Sequence, residues 1–117
     1  MWFKTVGVTG TSDAQSDEIE AAFALLGLDF EVLVTVDDDT TVSKQARRFC
    51  YNNKYHDRVK KIHGGMIDEL VEEAGILLHF GSDLDALVSG ALLVGIPVVL
   101  FPENFREVLT KGWSANG

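Results

Sequence analysis

Val6-Gly7-Val8-Thr9-Gly10-Thr11-Ser12-Asp13 is an apolar run that breaks into small, hydroxyl-bearing residues, and a helical pattern follows directly after it. Lys4 to Val8 reads as a short buried strand, because β-branched residues dominate it up to the Thr9-Gly10 break. Ser16 is placed to cap a helix from Asp17, with Asp17, Glu18 and Glu20 near the positive end of its dipole. Ile19, Ala22, Phe23 and Leu26 then share one face, and Gly27 stops the helix. A strand that turns through small residues into a helix aims backbone N–H groups at one spot, which suits an anion. Two readings of Thr9, Gly10, Thr11, Ser12 and Asp13 follow: a phosphate or ribose cradle, or an ordinary βα turn with Ser12, Asp13 or Ser16 as its cap.

The same grammar recurs downstream. Glu31 to Val36 reads as a second strand, halted at Asp37-Asp38-Asp39-Thr40-Thr41. Val42, Ala46, Phe49 and Cys50 form the stripe of a helix that ends near Tyr51-Asn52-Asn53. From Tyr55 to Ala74 the spacing of Val59, Ile62, Met66, Leu70 and Ala74 predicts a longer helix, kinked or broken at Gly64-Gly65. Ile76 to Phe80 is a third strand leading into Gly81-Ser82-Asp83. Leu84, Leu87, Val88, Ala91 and Leu92 mark the next helix face, closed by Gly95. Ile96 to Phe101 is a fourth strand, and a short helix follows from Phe105.

The predicted order β-α-β-α-α-β-α-β-α implies an α/β protein with an open parallel sheet of about four strands, right-handed crossovers and helices on both faces. At 117 residues one domain spanning 1–117 is expected. The polar breaks at Thr9-Gly10, Asp37-Asp38, Gly81-Ser82 and Pro102-Glu103 all fall at strand C-terminal ends, the edge where open parallel sheets bind ligands.

Composition narrows the function classes. A content of 46% apolar and 24% charged residues matches a globular protein and excludes a disordered or fibrous one. The net charge of −8 opposes a protein that coats duplex nucleic acid, which needs a basic footprint. Cys50 stands alone, so no intrachain disulfide and no cysteine metal cluster can form, and a reducing cytoplasm is expected. No apolar stretch is long enough to span a bilayer, so no membrane partner is expected.

Several residues carry candidate chemistry. Asp37, Asp38 and Asp39 suit an oxygen-ligated cation, but successive side chains diverge, and a solvated turn in which Asp39 or Thr40 caps the following helix accounts for the pattern; no metal is expected. Gly81, Ser82, Asp83 and Asp85 form a second loop of small residues, read either as a phosphate site or as a capped turn. Seven of the ten basic residues lie between Lys44 and Lys61, either an anion-binding band or a solvated helix face. His63 and His79 read as structural histidines, and Cys50 as buried rather than nucleophilic. The G-x-G-x-x-G fingerprint and the Walker lysine are both missing.

Val6 to Asp13 resembles the opening V-x-V-T-G-S-R-D of the SLOG superfamily, a Rossmann-like group of nucleotide-associated proteins. Val32-Leu33-Val34-Thr35 is similar to that family's second strand, Ile76 to Phe80 to its next core strand, and Gly81-Ser82 through Gly95-Ile96-Pro97-Val98 to its closing unit. The resemblance implies a Rossmann-like three-layer sandwich and a nucleotide or nucleotide-derived ligand held by Thr9 to Asp13, Asp37, Thr40, Gly81, Ser82 and Asp83, without a cofactor. Asp37-Asp38-Asp39 replaces the family's glycine-rich second loop, and no glutamate follows Gly81 until Glu103, where the cleaving branch carries its catalytic one. Binding is therefore the expected activity. N-glycosidic cleavage assisted by Asp83, Asp85 or Glu103 is the alternative, and a homodimeric interaction module, through Trp113 or the Leu84 to Val94 helix, a third.

Overall fold

The computed structural model describes residues 2–37, 40–63, 75–81 and 86–110. Strand β1 (Trp2–Gly10) leads through a loop to helix α1 (Ser16–Leu26), strand β2 (Asp29–Asp37) and helix α2 (Thr41–Asn52). A single 3-10 turn (His56–Arg58) then enters strand β3 (Val59–His63). Strand β4 (Ile76–Phe80), helix α3 (Ala86–Leu93), strand β5 (Val98–Phe101) and helix α4 (Phe105–Thr110) complete the described elements.

All five strands are parallel, in the order β3-β2-β1-β4-β5. The protein is an α/β, Rossmann-like three-layer sandwich, as the alternation of strands and helices implies. Val6, Val8, Leu33, Ile76, Leu78 and Phe80 point to one face of the sheet and pack against Ile19 and Phe23 of α1, Phe49 and Cys50 of α2, and Phe105 of α4. On the other face Leu77 packs with Val88 and Ala91 of α3. This alternation along β4, buried at every position, is the signature of a strand covered on both sides.

Two aromatic clusters weight the first face. Phe23, Phe30, Phe49 and Tyr55 meet edge-on or tilted near the strand N-termini, with centroids 5.0 to 6.5 Å apart. Phe80 stacks on Phe101 at 4.6 Å near the C-termini, and Phe105 closes over both. Each such pair adds roughly 0.5–1.5 kcal/mol beyond its buried area.

The structure corrects three expectations. Val59 to His63 is a strand, not the first half of a helix, and it pairs in parallel with β2 from Leu33↔Val59 to Asp37↔His63. The sheet thus has five strands rather than about four. A spacing of three between Val59 and Ile62 is the helical interval, but the backbone bonds that β2 offers decide the conformation. The remainder of that predicted helix, 64–74, lies outside the described residues. Second, α1 begins one residue early, with Gln15 rather than Ser16 as its N-cap. Third, Leu92 is 60% exposed instead of facing the core with Val88 and Ala91. Thr40 does cap α2, its Oγ1 accepting the Ser43 N–H at 3.4 Å.

Candidate functional site

The strand order reverses between β1 and β4: β2 and β3 extend to one side of β1, β5 to the far side of β4. Parallel sheets open a crevice outside the strand C-termini at such a switch point. The β1 loop, Gly10-Thr11-Ser12-Asp13, and the β4 terminus, Phe80-Gly81, meet there.

Two glycines permit that meeting. Gly10 has φ +155°, and a Cβ on it would overlap the Phe80 carbonyl oxygen. Gly81 has φ +147°, and its Cβ would stand 2.7 Å from Thr11 Oγ1. Both positions need a residue without a side chain, for conformation and for space.

The backbone amides of Thr11, Ser12, Ala14 and Gly81 are already engaged. Thr11 N–H and Ser12 N–H both donate to the Phe80 carbonyl, at 3.0 and 3.1 Å, and Gly81 N–H donates to the Phe101 carbonyl at 2.9 Å. Ala14 N–H donates to Ser12 Oγ at 3.3 Å. At the start of α1, Gln15 N–H donates to Glu18 Oε1 at 3.2 Å and Ser16 N–H to Gln45 Oε1 at 3.1 Å. The Thr11 and Ser12 donors thus fasten the two loops together.

Asp17 and Glu18 lie in the first turn of α1, and Arg106 of α4 reaches across to both, at 2.9 Å to Asp17 Oδ1 and 3.2 Å to Glu18 Oε1. The Asp17 hydrogen bond, followed by the charges of Glu18 and Asp17, holds the Arg106 guanidinium above its ordinary value. The positive end of this helix is answered by side chains of the protein itself.

Thr11 and Asp13 are exposed at the mouth of the switch point, whereas Thr9 and Ser12 are buried. Thr9 Oγ1 hydrogen-bonds His79 Nδ1 at 3.1 Å across β1 and β4. A hydroxyl beside an imidazole is the raw material of a nucleophile and base. Here both residues are buried, at 4% and 0% exposure, so the pair has no route to a substrate and serves the sheet as a satisfied polar contact. His79 is thereby the structural histidine the sequence predicts.

The other predicted site residues divide. Asp37 ends β2, the strand beside β1. Thr40 is occupied as the α2 cap, its Oγ1 also donating to Ser43 Oγ at 3.0 Å. Ser82, Asp83, Asp85, Asp38 and Asp39 lie outside the described residues. Among the described residues no three of His, Cys, Asp and Glu gather where they could hold a metal ion, and no helix is long and apolar enough to cross a membrane.

The basic band between Lys44 and Lys61 is split over α2, the 3-10 turn and β3. Arg47 Nη1 donates to Thr35 Oγ1 at 3.2 Å, and Arg58 Nη1 to the Phe30 carbonyl at 3.0 Å while its guanidinium lies 4.6 Å from the Tyr55 ring centroid. Both arginines are tied into the fold.

Sequence reasoning missed the concave surface at the opposite edge. An open groove of about 370 Å³ at the strand N-termini is lined by Trp2, Asp29, Phe30, Glu31, Val32, Asp57 and Arg58. A smaller space of about 250 Å³ beside it runs over Phe23, Gly27, Phe49 and Tyr55. No spacing in the sequence announces either, since their walls come from β1, α1, β2, α2 and the 3-10 turn together.

No protein-family model matches the chain, and no curated protein matches it in sequence.

Proposed function

We propose that this protein binds a nucleotide-derived small molecule at the C-terminal edge of its sheet, at the switch point between β1 and β4. The observation that carries the reading is the strand order β3-β2-β1-β4-β5, whose reversal falls between two strands that end in glycine loops. The SLOG-like order of the motifs from Val6 to Asp13 and from Gly81 to Val98 supports the same ligand class.

The geometry alters which part of the ligand the β1 loop meets. With the Thr11 and Ser12 amides bonded to Phe80, that loop presents the Thr11 hydroxyl and the Asp13 carboxylate. A carboxylate and a hydroxyl suit ribose hydroxyls rather than a phosphate. Ser82 and Asp83, which follow Gly81 in the chain, and Asp37 at the end of β2 complete the proposed set.

Calorimetric titration with nucleoside monophosphates and ADP-ribose tests this. Saturable binding is expected, weakened roughly fivefold by Thr11→Val, which keeps the shape and removes one hydrogen bond of about 1 kcal/mol. Absence of heat for the whole ligand panel at millimolar concentration would overturn the reading.

A further inference from the structure

The two edges of the sheet are built differently. Edge strand β3 carries Lys60 and Lys61, both exposed, the kind of charge that keeps an edge from pairing with another chain. Edge strand β5, Val98-Val99-Leu100-Phe101, carries no charge at all. From Ala86 to Phe101, through α3 and β5, there is no Asp, Glu, Lys or Arg, in a chain with 24% charged residues and a net charge of −8. This is the longest uncharged stretch among the described residues, and two such anionic chains can approach along it.

The ladder fixes which backbone groups β5 offers. Leu77 N–H donates to the Pro97 carbonyl and Gly81 N–H to the Phe101 carbonyl, each at 2.9 Å. Residues alternate along a parallel strand, so Pro97, Val99 and Phe101 address β4 while Val98 and Leu100 turn both N–H and C=O outward. The Leu100 side chain, on the same face as Val98, is 50% exposed. Beside them the end of α3 leaves Leu92, Leu93 and Val94 at 60%, 87% and 63% exposure.

We propose that β5 is the seam of an isologous homodimer, in which two copies pair antiparallel about a two-fold axis at Val99. In that register Val98 of each copy lies opposite Leu100 of the other, and their outward N–H and C=O groups bond reciprocally. The axis is perpendicular to the sheet, so both α3 helices stay on one face and the apolar residues at their ends border the joint. The occupant is a second copy because the outward positions complement one another by symmetry and carry no charge to select a foreign strand. The edge guarded by Lys60 and Lys61 cannot repeat the contact, so assembly closes at two chains.

Sedimentation equilibrium and concentration-dependent hydrogen exchange on the full chain test the proposal. A species of twice the chain mass is expected, with the Val98 and Leu100 amides protected as concentration rises and the Lys60 and Lys61 amides unaffected by it. Leu100→Lys should weaken association at least tenfold with an unchanged circular dichroism spectrum. Exchange on the unmodified protein decides the matter if that variant fails to fold. A monomer up to about 1 mM overturns the proposal and leaves the edge to another partner. A dimer that survives Leu100→Lys, or leaves the Leu100 amide unprotected, overturns it equally.

Discussion

At Gly10 a methyl group would overlap the Phe80 carbonyl oxygen, on backbone already at φ +155°. Gly27, at φ +59°, has open space where its Cβ would be. The pair separates backbone conformation from crowding. Gly10→Ala should cost about 3 kcal/mol or more, because strain and overlap add, whereas Gly27→Ala should cost roughly 1 kcal/mol from left-handed conformation alone. Urea unfolding of the two variants measures the difference, and equal losses would show that the β1 and β4 loops are not tightly apposed. The sequence makes Gly10 legible as a turn. It does not reveal that Phe80, far along the chain, accepts the Thr11 and Ser12 amides, because only the β1–β4 pairing brings that carbonyl there.

Element by element, local signals suffice wherever the chain's own neighbours decide the conformation. Thr40 is such a case: its side chain accepts the Ser43 N–H at the start of α2. Thr40→Ala should destabilise the protein by about 1 kcal/mol, read from a lower denaturant midpoint with an unchanged slope. Strands β1, β2, β4 and β5 announce themselves by β-branched runs ending in polar breaks, and α1 and α2 by their stripes and by Gly27 and Asn53 at their ends. Strand β3 does not. Lys60 and Lys61 project to opposite faces and both are exposed, so the period-two alternation that marks a half-buried strand is missing. The site follows the same division: the edge of the sheet is legible from the polar breaks, while the groove at Trp2, Asp29 and Asp57 is assembled from segments that only the fold brings together.

For the molecule as a whole, the main core contains a titratable group whose protonation is linked to folding. Cys50 is buried among the residues of α1, α2 and β2, and desolvation pushes its thiol up to about 12, against an opposing pull from the Arg58 charge. The native state therefore keeps this proton where the unfolded chain, with a value near 9.0, releases it. Its contribution to stability is full below pH 9 and is lost as pH rises toward 12. Between those limits the wild type should lose stability faster than Cys50→Ala, by at most about 1.4 kcal/mol per pH unit. Guanidinium unfolding at stepped alkaline pH compares the two slopes, and identical slopes would remove Cys50 from the account.

The contact between Thr9 and His79, 70 residues apart, also orders events in time. β1, β2 and β3 are consecutive in the chain and in the sheet, so their half can collapse over short loops. The strand at the centre of the sheet must then wait, with one flank bare, until β4 returns from the far part of the sequence to meet it. A nascent chain released before Phe80 has all of the β1 turn and none of the carbonyl that fastens it. The switch point is accordingly a shared product of the two ends of the sequence, and it cannot be assembled until the chain has been made through Phe80.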